Sequence, residues 1–214
     1  MSTASSRGRI AGRRRTPGLI GLLPILAIIF VGACALPGAL PGAAKPPTAE
    51  QILHKPEQSS MKDAHLVVEG HLSQLKVTGE GGLVLKPVFA MELELTAPVS
   101  AASSPSVGII QIGNDLYVRL GSTSWTRSTA TRADPLGETS TGARLVGEES
   151  LAQGRSWHVA ATRDRAPFEI WVRKSDGYPL RTRSKDSTTG IEMTANFDRF
   201  NTGNTVSPPA ALSG

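Results

Sequence analysis

The chain has 214 residues, 23 lysines and arginines against 18 aspartates and glutamates, a formal net charge of +5, and one cysteine. A basic excess ordinarily points to nucleic acid or an acidic membrane surface. Here Arg7, Arg9, Arg13, Arg14 and Arg15 all precede Cys34 and no acidic residue does, so the remainder is formally neutral with its signs interspersed, as in Arg163-Asp164-Arg165, and no nucleic-acid partner is expected. A lone cysteine excludes an internal disulfide and a thiolate metal site, which leaves a region of about residues 48 to 205 to hold together by apolar burial, at a length sufficient for a real core.

Taken in order, the five arginines form a basic leader to an apolar run from Leu19 to Ala33, the length of a secretion signal rather than a stable membrane span. Pro17, Gly18, Gly21 and Pro24 weaken any long helix there. The run ends in Val31-Gly32-Ala33-Cys34, which resembles the lipobox of bacterial lipoproteins: small residues before a nucleophilic thiol, and an apolar side chain three positions upstream. That resemblance implies removal of residues 1–33 and a diacylglyceryl group on Cys34; the alternative is an ordinary signal peptide or a span with an incidental thiol. The Arg14-Arg15 pair is followed by Thr16, Pro17 and Gly18, a poor fit to the twin-arginine export motif, so general secretion is expected. Residues 34–47, rich in proline and glycine, read as a tether behind the lipidated cysteine.

Thr48 with Gln51 forms a capping-box pattern, predicting a helix from Thr48 to about Met61 that Pro56 kinks or ends early. From Ala64 the apolar period becomes two. Leu66, Val68, Gly70 and Leu72 share one face, Leu75 and Val77 continue, Gly79-Glu80-Gly81-Gly82 reads as a hairpin turn, and Leu83 and Leu85 begin the return. The cleanest alternation is Phe89, Met91, Leu93 and Leu95 against Ala90, Glu92, Glu94 and Thr96. Beyond a Ser/Ala/Pro loop, Ile110 and Ile112 lead through Gly113-Asn114-Asp115 into Leu116, Val118 and Leu120, with Trp125 after a short turn. Residues 128–142 are polar and aperiodic and read as an irregular surface loop. Strands resume at Trp157 and Val159, then at Phe168, Ile170 and Val172; Ser175-Asp176-Gly177 turns the chain into Leu180 and Thr182, and Ile191, Met193, Ala195 and Phe197 close the series.

The expected fold is a β-rich α+β domain over 48–205: about eight to ten antiparallel strands in a curved sheet, or half-barrel, packed around an N-terminal helix, with 206–214 as a disordered tail. One helix covers only part of such a sheet, so its apolar face either curls around the helix or stays partly open as a cavity.

The lipobox, the tether, the front helix and the strand order together resemble the LppX/LprAFG lipoproteins of mycobacteria and their relatives, whose half-barrel is like that of the LolA carrier. The residues carrying the resemblance are Ala64-His65-Leu66-Val67-Val68-Glu69-Gly70; Ile112-Gly113-Asn114-Asp115-Leu116-Tyr117-Val118 with Trp125; Ile170-Trp171-Val172 running into Asp176-Gly177-Tyr178-Pro179-Leu180; and Ile191-Glu192-Met193 with Phe197 and Phe200. The family implies an apolar cavity that carries lipids or lipid-modified molecules across the cell envelope. Its members have substantial helix after the hairpin, where this chain offers Asp134-Pro135-Leu136 and then only a polar loop. A smaller or more open cavity follows, which argues against large multi-chain lipids.

Catalytic chemistry finds little support. The histidines are His54, His65, His71 and His158, no serine sits in a Gly-x-Ser-x-Gly elbow, and Gly121-Ser122-Thr123-Ser124 reads as a turn. His65, Glu69 and His71 share a strand face, but at about 3.3 Å per residue the two histidines stand roughly 20 Å apart, so only Glu69 and His71 meet at one ion, and two ligands are too few. Gly79 to Gly82 lacks the lysine, the hydroxyl residue and the helix of a phosphate loop. Trp171 points away from Ile170 and Val172, either toward a membrane or partner surface or, the favoured reading, against a neighbouring loop.

The sequence therefore predicts a non-enzymatic lipoprotein, without cofactor or metal, held at the outer face of the cell membrane by the lipid on Cys34. It binds a lipid or acyl chain among Leu66, Val68, Phe89, Met91, Leu93, Leu95, Ile110, Ile112, Leu116, Val118, Ile170, Val172, Ile191 and Met193. The alternative is an envelope protein-interaction or sensor module on the same half-barrel, its core closed by side chains.

Overall fold

The computed structural model describes residues 45–72, 75–98, 104–185 and 191–212. The expected signal peptide, Cys34 and the tether up to residue 44 lie outside the described residues.

Eleven strands form one antiparallel sheet: β1 (Asp63–Leu72), β2 (Leu75–Val84), β3 (Ala90–Thr96), β4 (Ser106–Ile112), β5 (Asp115–Leu120), β6 (Thr126–Thr129), β7 (Thr141–Leu151), β8 (Gly154–Arg163), β9 (Ala166–Arg173), β10 (Pro179–Lys185) and β11 (Glu192–Asp198). Their spatial order is β6-β5-β4-β3-β2-β1-β11-β10-β9-β8-β7. Every neighbour is a sequence neighbour except β1 and β11, so the series of strands starts and ends in the middle of the sheet. Both edges are therefore consecutive strands, and the segment 130–140 joins one edge to the other.

The register gives the inner face. One row of directly opposed residues runs Val159, Ile170, Thr182, Ala195, Val68, Gly79, Leu95 and Val107; the next includes Phe197, Leu66, Gly81, Leu93, Ile109 and Val118. Two hydrophobic clusters pack on this face. One joins Met61, Leu66, Val68, Leu83, Phe89, Leu93, Leu136, Tyr178 and Phe197. The other joins Ile52 and Leu53 to Val159, Phe168, Ile170 and Val172.

Gly79 to Gly82 is not the predicted turn but the middle of β2. On the inner face a Cβ at Gly79 would stand 2.6 Å from the carbonyl oxygen of Glu94, and one at Gly81 would overlap that of Glu92. Glycine here lets β3 lean inward over β2, which is how the sheet curls without a side chain filling the bend. The composition of a turn has become the composition of a bend.

The front helix is shorter than predicted. Thr48 caps α1 (Ala49–Leu53) with the reciprocal Thr48–Gln51 bonds of a capping box; the helix breaks at His54 and resumes as α2 (Lys55–Gln58), with Pro56 in its first turn. Pro56 has no N–H to donate and is placed where none is needed. The helix lies against the β7–β9 end of the sheet, burying Ile52 and Leu53 completely or nearly so.

Two further expectations are corrected. The stretch 128–142 contains the end of β6 and the start of β7, and its centre is partly buried, including Leu136, Gly137 and Ser140. Strand β7, absent from the prediction, is a mostly exposed edge with two register shifts against β8. Beyond β11, Thr202, Gly203 and Asn204 donate their amides to the Asp63 carboxylate, and the coil runs on to Leu212, which bridges Trp125 on the outer face.

Candidate functional site

The segment 130–140 is a strap across the mouth of the half-barrel. Its conformation is built locally: Asp134 accepts from the amides of Glu138 (2.7 Å) and Thr139 (2.9 Å) and from the Thr139 hydroxyl (2.7 Å), closing a turn that Gly137 completes at φ +76°. A Cβ at Gly137 would collide with the Phe168 ring, so the strap backbone lies directly on that ring. Leu136, 2% exposed, plugs into the cluster around Leu66 and Leu93.

Side chains from the sheet hold the first half of the strap from two sides. Gln111, buried on the inner face of β4, donates to the Thr131 carbonyl (3.0 Å) and accepts from the Ala133 amide (2.9 Å). Arg163, last residue of β8, donates to the Asp134 carbonyl and lays its guanidinium over Phe168, 4.7 Å from the ring centroid. Arg132 pairs with Glu138 at 2.6 Å and sits over Phe89.

Between strap and sheet is a cavity of about 580 Å³. Leu66, Val68, Met91, Leu93, Met193, Ala195 and Phe168 make its mostly apolar floor, with Thr182 and Ser184 of β10 among them, and Thr131 to Pro135, Thr139, Arg163 and Asp164 make its polar rim. Apolar floor and polar mouth together are the anatomy of a site for an amphiphile.

Two carboxyls of the strap are shifted in opposite directions. Burial pushes Asp134 up, but the hydrogen bonds from Thr139 and Glu138 and the charge of Arg163 outweigh it and leave Asp134 below the usual range. Glu138 is raised: burial dominates, Arg132 opposes it, and the nearby charges of Glu57 and Asp134 add to it.

Of the predicted ligand residues, the structure brings Leu66, Val68, Met91, Leu93 and Met193 to the cavity. Phe89 and Leu95 face inward within the adjoining cluster. Leu116 and Val118 share the inner face farther along the sheet, while Ile170 and Val172 pack beneath α1; Ile191 precedes β11 and is not among the lining residues. Ile110 and Ile112 face the other way. The register opposes Met91 to Gln111 and Leu93 to Ile109, so the inward residues of β4 are Val107, Ile109 and Gln111, and Ile110 is buried on the outer face opposite Tyr117. The residues sequence reasoning missed are Gln111, Arg163 and the strap itself. A glutamine inside an apolar strand and a leucine inside a polar loop were the available signals.

Trp171 is buried, 5% exposed, and stacks on His158 of the neighbouring strand with ring centroids 4.0 Å apart, so it presents no surface and packs on a strand rather than a loop. His65 binds Asp198 at 2.7 Å. Among the described residues, no group of three or more His, Cys, Asp and Glu is placed to hold a metal ion.

No family model matches the sequence, and no curated protein matches it. Solved structures do resemble the fold. An uncharacterised conserved protein from Thermus thermophilus aligns with a TM-score of 0.51 at 18% identity, over 77% of this chain and 96% of that one. MucB of Pseudomonas aeruginosa, solved in complex with MucA, aligns at 0.45 and 17% identity over 74% of this chain and 58% of that one. A domain described as a candidate outer membrane lipoprotein-sorting protein from Vibrio parahaemolyticus aligns at 0.36 and 10% identity, over 74% and 95%. At 18% identity the likeness to the Thermus protein is one of fold alone, and the half-barrel that the LppX/LprAFG resemblance implied is the part of that resemblance the structure bears out.

Proposed function

We propose that this chain is an envelope lipoprotein, anchored through Cys34, that binds or carries one acyl chain between its curved sheet and the strap. The observation that supports this reading is the cavity of about 580 Å³ with an apolar floor and a polar rim. No covalent step is involved: about eight methylenes buried at about 0.8 kcal/mol each supply roughly 6 kcal/mol, a dissociation constant on the order of tens of micromolar. That is tight enough to load a chain and weak enough to release it. The volume suits a single chain, in line with the argument against multi-chain lipids.

Native mass spectrometry of the chain expressed in a related bacterial host tests this. A lipid-sized adduct is expected, lost in Leu93→Trp, whose indole fills the floor; a bare mass together with no uptake of a fluorescent fatty acid refutes the reading.

A second reading, docking of an envelope protein, draws support from β7. It is an edge strand, and it exposes the adjacent Leu145 and Val146, each 46% accessible. A bare mass with unchanged stability in Leu93→Trp, and a partner crosslinked through β7, would favour it.

A further inference from the structure

We infer that the mouth of the cavity recognises the acidic headgroup of a single-chain lipid, a fatty-acid carboxylate, through the guanidinium of Arg163. This rests on the acyl-chain reading and specifies it. Arg163 continues the inward stripe of β8 formed by Trp157, Val159 and Ala161, and it lies where the apolar floor meets the strap. A guanidinium has five N–H donors; the structure uses Arg163 for the Asp134 carbonyl and stacks it on Phe168, which fixes its plane. Among the described residues no carboxylate forms an ion pair with it, whereas Arg132, on the same rim, is taken by Glu138. A half-buried guanidinium with its orientation set and donors to spare is a receptor for a planar oxyanion.

The acidic residues of the rim do not fill that role. Asp134 spends both carboxylate oxygens on the strap's own donors, Glu138 N, Thr139 N and Thr139 Oγ1. Asp164 sits exposed at the β8–β9 turn, beside the equally exposed Arg165. Ser184, opposed to Phe168 and Met193, lines the same cavity and offers a hydroxyl to a carboxylate, whereas the Thr139 hydroxyl is already given to Asp134. The arrangement puts the charged head at the strap and the chain along Phe168, Met193, Val68 and Leu66.

The test is calorimetric titration of the full chain, held in amphipathic polymer, with dodecanoic acid and with dodecan-1-ol, for the native protein, Arg163→Gln and Arg163→Lys. A charge-assisted bond predicts that the acid binds about ten- to a hundredfold more tightly than the alcohol, that Arg163→Gln brings the acid down to the alcohol, and that Arg163→Lys retains part of the difference. The alcohol's affinity in each variant reports how much of the cavity and strap survives loss of the Arg163–Asp134 bond, so the acid-to-alcohol ratio is the readout. Equal binding of acid and alcohol to the native chain overturns the inference while leaving the acyl-chain reading standing. So does an equal loss of both ligands in Arg163→Gln, which would confine Arg163 to its bond to the strap. Failure of both ligands to bind the native chain overturns the acyl-chain reading, and the headgroup site with it.

Discussion

Replacing Leu136 by alanine distinguishes a strap that belongs to the core from a loop that lies on the surface. Leu136 is 2% exposed and is the strap's residue in the cluster of Leu66, Val68, Leu83, Leu93 and Phe197. Deleting a fully buried leucine side chain costs about 2–5 kcal/mol, transfer and cavity terms together, whereas a leucine on a surface loop changes stability by about 0.5 kcal/mol or less. The site borders an existing cavity and can relax, so the expected cost is near the lower part of that range, about 2–3 kcal/mol. For a domain of this size each kcal/mol moves Tm by about 2–4 °C, a loss of roughly 4–12 °C. Urea unfolding measures it directly, with an unchanged m value showing that the unfolded state is not involved. Hydrogen exchange at the Glu138 and Thr139 amides, both bonded to Asp134, should accelerate in the variant. A cost under about 1 kcal/mol, with those amides exchanging as slowly as before, would refute the strap as a structural part of the inner face.

Gly81→Ala places a Cβ against the Glu92 carbonyl and should destabilise by about 1–3 kcal/mol or more, as overpacking does; Gly82→Ala, whose nearest neighbours are 4.0 Å away on the outer face, should show little change, and equal melts would remove the case for glycine as the bend. Thr48→Ala should cost about 1 kcal/mol through loss of the capping box over β7–β9, read by thermal melting. The two shifted carboxyls predict opposite pH dependences. Asp134, lowered in the fold, contributes stability that is fully present above the unfolded value of about 3.9 and lost as pH falls through its folded value; Glu138, raised in the fold, lets stability fall as pH rises from about 4.3 through its folded value. Urea midpoints measured from about pH 3 to about pH 7 should therefore lose their acid-side slope in Asp134→Asn and their upper slope in Glu138→Gln; unaltered profiles would mean that neither group is coupled to folding.

Most strands were legible because the inner face of the sheet is apolar, which writes a period of two into β1, β3, β5, β9 and β11, although β5 and β9 also bury Tyr117 and Trp171 on their other face. The failures share a cause: positions where the inner face is not apolar, or the outer face is. Strand β4 carries Ile109 and Ile110 side by side, and choosing its inner face by hydrophobicity alone selects Ile110 and Ile112. The polar Gln111 is the one that points inward, because its amide holds the strap. Strand β7 lacks a stripe altogether: it is exposed on both faces over most of its length, and its register shifts on either side of Leu145 move the side chains between faces. Gly79 to Gly82 has the residues of a turn because a sharp bend and a turn both need a missing Cβ, and only the backbone of β3 tells them apart.

The strap was hard to read for a different reason, since apart from Leu136 nothing in its own composition asks for burial. Its place follows from pairing. Once β1 lies beside β11, the two ends of the ordered series meet at the centre of the sheet and the two edges become β6 and β7, successive in sequence. At no more than about 3.6 Å per residue, residues 130–140 reach at most roughly 40 Å, and the Asp134–Thr139 turn shortens that. A curled sheet brings its edges near enough to be joined by such a segment, and a flat sheet of eleven strands spaced about 4.8 Å apart does not. The same curvature that the inner glycines permit is thus what lets a short polar segment cross the mouth, plug it with one leucine, and leave beneath it a space bounded by apolar floor and charged rim.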